Sequence, residues 1–439
     1  MALKYTNCLS DLSNVFADYP LEIDELDQFY QETIEIRTGD AGLSPIEYLY
    51  AACTGNPRGR NAHLLMGHRG CGKSTELNRL AKRFKDAGFS VRTVYCDKEL
   101  DRTDMAYTDI LILMAEALIS IANELGCSVS RRDLQTLLRF HQEIERVDVS
   151  VKDANLEIAD GADVQSPTIL SGLLRFFISL KASLKFNQET RVTIRETMKP
   201  RVSEWLAVMD RISELISEKN DHRQPILIFE DLDKGNSWDV FHLHGEQLTG
   251  VHFPIIYTFP IGLSFSTAFS EMDAFFDVRR LPMIMVRTVS GEVNPPGVAA
   301  IQRIVESRCN PQLFEEDVIN YLIDMTGGSL RDLFYTIREA SFISMLRRAD
   351  AIAMDVAKLA LRELRNRLKI RVDASDFPFL RAIHENHQIY SDREKLLKMM
   401  EGDIVLEYNG ENWYDLHPVI EEFLRDNGVF PQPQSGAST

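Results

Sequence analysis

With 439 residues, 49 Lys and Arg and 66 Asp and Glu, the chain carries a formal charge of −17. That length suits two to four domains with a sizeable core. Hydrophobic residues at 44% and charged residues at 26% exclude a disordered or collagen-like chain, and the acidic excess argues against attachment to nucleic acid mainly through counterion release. Six cysteines, at 8, 53, 71, 96, 127 and 309, show no CxxC pair and no zinc spacing, so free thiols of a reducing cytoplasm are expected. The opening MALKYTNCLSDLSNVF lacks a basic start followed by an apolar run. The longest apolar stretch, 110–122, contains Glu116 and is shorter than the roughly 20 residues of a membrane span.

In chain order, residues 1–60 form an acidic segment with Leu21, Ile23, Leu26 and Tyr30 at a loose helical spacing. A short strand is predicted over 63–66, followed by GHRGCGKSTEL and a helix with Leu77, Leu80, Ala81 and Phe84 on one face. Gly88 ends that helix and 90–96 reads as a second strand. Strand, glycine loop, helix and strand open a parallel α/β sheet. The next strong strand, 225–233, lies about 127 residues further on, so 98–224 reads as a largely helical insertion with a polar, acidic middle at 147–165. Further strands are predicted at 253–258 and at 280–286, the latter an edge strand or a strand start because Pro282 interrupts it. Beyond Pro296 the pattern is helical. Ser329 with Asp332 opens a helix to about Arg348, and Ser391 with Glu394 opens another to Met400. Asn409-Gly410 joins two short strands as a hairpin, and Pro418 starts a last helix. The resulting division is an N-terminal segment (1–60), an α/β core (61–295), a helical lid (296–370), a winged-helix-like module (371–430) and a flexible tail (431–439).

Gly67-His68-Arg69-Gly70-Cys71-Gly72-Lys73-Ser74 fits the phosphate-loop pattern G-x-x-x-x-G-K-[ST] at every fixed position, with Thr75 following. Its glycines turn backbone N–H groups toward phosphate oxygens at a helix N-terminus. Lys73 would reach the terminal phosphates and the Ser74 hydroxyl would hold Mg²⁺. Four apolar residues, 226–229, then lead into Glu230 and Asp231. Carboxylates at the carboxyl end of a buried strand suit Mg²⁺ and an attacking water; which of the two takes which role stays open. No N/T-K-x-D motif is present, which favours ATP over GTP.

On these motifs the chain resembles AAA+ or STAND-type P-loop ATPases, of the branch shared with origin-recognition-type loaders and KAP-like ATPases. Most relatives place Asp before Glu or Asp, whereas Glu230 comes first here, so slow hydrolysis is compatible with the pattern. The resemblance implies a sensor residue at Thr258, in PIIYTFP. It also implies a lid arginine at Arg331, in Gly327-Gly328-Ser329-Leu330-Arg331, reaching the γ-phosphate. An arginine finger from a neighbouring subunit is a further implication, with Arg279, Arg280 and Arg308 as candidates. The family reading is an ATP-hydrolysing switch that assembles with itself or with a protein effector or nuclease, in a setting such as antiviral defence. The alternatives are a DNA-binding loader for replication or transposition, and a weakly hydrolysing scaffold gated by nucleotide. The winged-helix-like region bears on that choice: 351–430, which takes in that module and the end of the lid, holds 11 Lys and Arg against 15 Asp and Glu, a poor phosphate-binding surface.

Overall fold

A computed structural model of the chain describes residues 3–39, 44–55, 60–147, 167–233, 238–266, 269–388, 392–408 and 413–430. Strands β1 (Ala62–Gly67), β2 (Val91–Tyr95), β3 (Ile226–Glu230), β4 (Ile255–Pro260) and β5 (Asp277–Arg280) form one parallel sheet in the order β2-β3-β4-β1-β5. Every residue of β1, β3 and β4 is buried, whereas β2 and β5 are mostly half-exposed. That contrast follows from position. Central strands of a parallel sheet are covered on both faces and carry unbroken apolar runs, and edge strands do not.

Helices of eight or more residues are numbered in chain order. Helices α1 (Pro45–Gly55) and α2 (Lys73–Asp86) cover one face, where Leu77, Leu80, Ala81 and Phe84 pack with Leu65, Ile228 and Ile256. The opposite face takes Leu64, Met66, Phe229 and Tyr257 into a core shared with α3 (Tyr107–Glu124), as the two-residue period of a strand requires. Helices α4 (Gln135–Val147), α5 (Pro167–Phe186), α6 (Gln188–Met198) and α7 (Val202–Lys219) extend that core around Phe140, Phe176, Phe177 and Trp205. The described part of the insertion is therefore helical, as its pattern predicts, and it continues the core of one sheet face. Helix α8 (Trp238–Thr249) completes that face.

One strand differs from expectation. The segment predicted as a strand at 280–286 enters the sheet earlier, over Asp277–Arg280, and leaves it at Pro282. Met283 then donates its N–H to the carbonyl of Glu407 at 3.2 Å. The apolar run is real, but only its start, through the Leu281 N–H to the Met66 carbonyl, bonds to β1, and Met283 takes the distant C-terminal hairpin as its partner.

A second core unites α9 (Pro295–Glu306), α10 (Val318–Met325), α11 (Leu330–Leu346) and α12 (Met354–Lys369) with α13 (Phe377–Asn386), α14 (Arg393–Glu401) and α15 (Pro418–Asp426). Leu12 and Phe16 of the N-terminal segment join it, Phe16 against Phe334. The Ser329 hydroxyl accepts the Asp332 N–H and caps α11 as expected. Helix α14 is capped by Asp392, whose carboxylate accepts the Lys395 N–H. Strands β6 (Val405–Tyr408) and β7 (Trp413–Leu416) pair antiparallel, and Pro418 occupies the first turn of α15. Ser391, the Asn409-Gly410 turn, 148–165 and the 431–439 tail lie outside the described residues. Among the described residues no helix is long and apolar enough to cross a membrane.

Candidate nucleotide-binding site

Strand β1 delivers Gly67 to the carboxyl edge of the sheet, and the chain turns there through Gly70 (φ +83°) and Gly72 (φ +96°) into α2. Positive φ at both positions is what glycine permits without strain. Lys73 is buried. Its Nζ donates to the carbonyls of Gly67 (2.7 Å) and His68 (3.1 Å) and lies 3.0 Å from the Asp233 carboxylate. Burial pulls the Lys73 ammonium down, but Asp233 and Cys71 more than offset it and its pKa is raised.

Glu230 ends β3 with 1% of its surface exposed. Burial pushes its carboxyl up to about 7; Asp231 and Asp233 add to the rise, while the Ser74 hydroxyl and Lys73 oppose it. Its Oε1 makes no hydrogen bond among the described residues. An orphaned buried carboxylate oxygen beside a serine hydroxyl and two further acids is a donor set that suits Mg²⁺. Asp231 follows at φ +67°, which turns the chain sharply out of the strand.

These residues line one cavity of about 330 Å³, within the range of small-ligand sites. Arg69, Gly70, Gly72, Lys73, Ser74, Thr75, Glu230 and Asp231 form one wall, and Leu330, Arg331 and Phe334 of the α11 region form another. The two walls touch. The Leu330 N–H donates to the Gly70 carbonyl at 3.1 Å, and a Cβ on Gly70 would come within 2.6 Å of the Arg331 Cβ. Arg331 also pairs with Asp18 of the N-terminal segment at 3.3 Å. Gly67, His68 and Cys71 support the loop from behind and do not line the cavity.

Thr258 is not brought to the cavity. Its hydroxyl accepts the Leu232 N–H at 3.1 Å and faces the Phe229 carbonyl at 3.4 Å, so it fastens the turn that carries Asp231. Thr258→Val keeps the shape but leaves the buried Leu232 N–H unpaired. It is expected to cost about 1–3 kcal/mol of stability in a denaturant titration.

Arg308 is also placed differently from a residue offered to a neighbouring subunit. It is 6% exposed, donates to the Val15 carbonyl at 3.1 Å and lies 4.5 Å over the Phe334 ring, within the wall of its own chain's cavity. Burial lowers its pKa to about 10. Arg279 stacks on Tyr48 and pairs with Asp277, and Arg280 lies 3.6 Å from Glu407; neither lines the cavity.

Sequence reasoning did not find Asp233, although it stands two residues beyond Asp231, nor the N-terminal cover. Tyr19, Leu21 and Phe29 line the cavity together with Ile304 and Phe334. The Leu21 N–H donates to Thr75 Oγ1 at 3.3 Å, a contact across 54 residues that leaves no local signal.

No family model and no curated protein matches the chain. Among solved structures, it is similar to Cdc6p of Pyrobaculum aerophilum, with 11% identity, 94% of this chain and 98% of that one covered, and a TM-score of 0.40. A Walker-type ATPase of Pyrococcus abyssi shows 14% identity, 93% and 99% coverage and a TM-score of 0.43. The ORC1 protein of Aeropyrum pernix, solved in complex with DNA, shows 10% identity, 88% and 92% coverage and a TM-score of 0.36.

Proposed function

We propose that the chain is an ATP-binding and ATP-hydrolysing switch in which nucleotide joins the sheet to the lid. The observation that carries this reading is the single cavity in which Lys73, Ser74, Glu230 and Asp231 face Arg331, with Leu330 bonded directly to the glycine loop. Backbone amides at the start of α2 suit the phosphates, and the apolar side chains of Leu21, Phe29 and Phe334 suit a nucleobase. Ser74 and Glu230 would hold Mg²⁺, which neutralises phosphate charge when bound. The Ser74 hydroxyl on Glu230 favours Glu230 for the metal and leaves Asp231 to orient and deprotonate the attacking water. Attack on the γ-phosphorus breaks its bond to the bridging oxygen and releases ADP and phosphate, and Arg331 balances the negative charge that develops.

The proposed division is a core at 61–295, a lid at 296–370 and a winged-helix-like module at 371–430, working with further copies of the chain or with a protein effector. Lys395 and Lys398 of α14 lie 3.5 Å from Asp376 and Asp373 within the same module, which supports a protein partner over DNA. Steady-state phosphate release tests the assignment. Asp231→Asn should bind ATP normally and lose turnover by about 100-fold or more, and Arg331→Ala should lose about 10-fold or more. Wild-type turnover in Asp231→Asn would remove Asp231 as the base.

A further inference from the structure

The glycine loop is gripped from behind by a segment 339 residues away in sequence. His68, the second residue of the loop, is fully buried, and its Nε2 accepts the backbone N–H of Glu407 in β6 at 2.9 Å. With Nε2 accepting, the imidazole proton belongs on Nδ1, which faces Asp403 Oδ1 at 3.6 Å. The same residue's carbonyl accepts the Lys73 ammonium. One histidine therefore connects the loop's lysine to the C-terminal hairpin.

The hairpin reaches the other wall of the cavity as well. Tyr408 donates its hydroxyl proton to the Gly327 carbonyl at 2.8 Å, just ahead of the Ser329 cap and Arg331. His417, which precedes α15, lies 3.4 Å from Asp332, and Asp332 is hydrogen-bonded to Ser329.

We infer that the β6–β7 hairpin is a working part of the nucleotide site: His68 positions the phosphate loop through the Glu407 amide, so nucleotide at the loop and the hairpin's hydrogen bonds are coupled. The inference rests on the loop being a nucleotide site. The coupling has a physical route. Lys73 now directs its ammonium to Gly67, His68 and Asp233, and a phosphate oxygen competes for those donors and resets the loop backbone. Glu407 and His68 are both buried, so the Glu407 N–H responds to any movement of the imidazole that accepts it. Coupling of this kind is reciprocal: whatever steadies the hairpin tightens nucleotide binding by the same factor.

Hydrogen exchange on the full chain tests this, following the amides of 404–408 with and without the non-hydrolysable ATP analogue AMP-PNP and Mg²⁺. In the wild type and in His68→Gln, which keeps an acceptor, the analogue should slow exchange at Glu407 by about 10-fold. His68→Leu should bind the analogue about 10-fold more weakly and lose the nucleotide-dependent change at Glu407. An unchanged response in His68→Leu would overturn the inference. So would calorimetric binding of the analogue to wild type with no change at Glu407, a result that needs no variant to fold. Failure of wild type to bind the analogue at all would instead overturn the nucleotide reading, and the inference with it.

Discussion

Glu230→Gln is expected to raise the melting temperature at pH 8 while abolishing ATP turnover. The Glu230 carboxyl is buried and pushed up to about 7 from an ordinary value near 4.5. A raised carboxyl pKa means that the folded state binds the proton more tightly than the unfolded chain does. Its contribution to stability is complete below about pH 4.5 and disappears as pH rises through about 7. At pH 8 the ionised group therefore burdens the fold by about 3 kcal/mol, from the relation between pKa shift and free energy. Gln keeps the shape and can still accept from Ser74, but it carries no charge to bury. The variant's advantage over wild type should be small at pH 5 and largest at pH 8. Mg²⁺ binds the deprotonated carboxylate, so it should stabilise wild type more at pH 8 than at pH 5 and leave Glu230→Gln unmoved. Scanning calorimetry at the two pH values, with and without Mg²⁺, reads all of this. Lower stability of Glu230→Gln at pH 8 would contradict it.

Lys73→Ala has a second large effect beyond loss of binding. Lys73 is the buried cation among Glu230 and Asp233, and it lies 3.0 Å from the Asp233 carboxylate. Removing it takes the buried cation away from the Asp233 and Glu230 carboxyls, a loss that costs up to about 3–5 kcal/mol for a buried pair. ATP affinity should fall by about 100-fold or more, because a charge-assisted contact to phosphate is lost as well. The double variant Lys73→Ala/Asp233→Asn separates the two consequences. It should regain much of the stability and none of the affinity. Denaturant titration and nucleotide binding on the three proteins check the pattern, and equal stability of Lys73→Ala and wild type would exclude the buried pair as a structural element.

The parts of this fold that were legible in the sequence are those whose physics is local. β1, β3 and β4 are read correctly because burial on both faces demands continuous apolar runs. The loop at 67–74 is read correctly because positive φ at Gly70 and Gly72 leaves a glycine pattern. The hairpin and the start of α15 were likewise announced by Asn409-Gly410 and Pro418. The misread strand at 280–286 has the same apolar composition as a sheet strand, but Met283 is claimed by Glu407, and no local pattern distinguishes the two partners. Thr258 has the right position for a sensor, yet its hydroxyl is used on Leu232 and Phe229. Arg308 looks like any surface arginine until the Val15 carbonyl and the Phe334 ring enclose it. Asp233, the N-terminal cover and the His68–Glu407 contact share that character: each depends on segments that meet only after folding. The −17 charge acquires a place in this way, since two of its acids, Glu230 and Asp233, meet Lys73 at the site.

The most direct test of the central claim is a calorimetric titration of the full chain with ATP and Mg²⁺. The account predicts saturable binding of a single nucleotide per chain, abolished by Lys73→Ala and followed in wild type by release of phosphate. Absence of binding to wild type, or unchanged binding to Lys73→Ala, would contradict it.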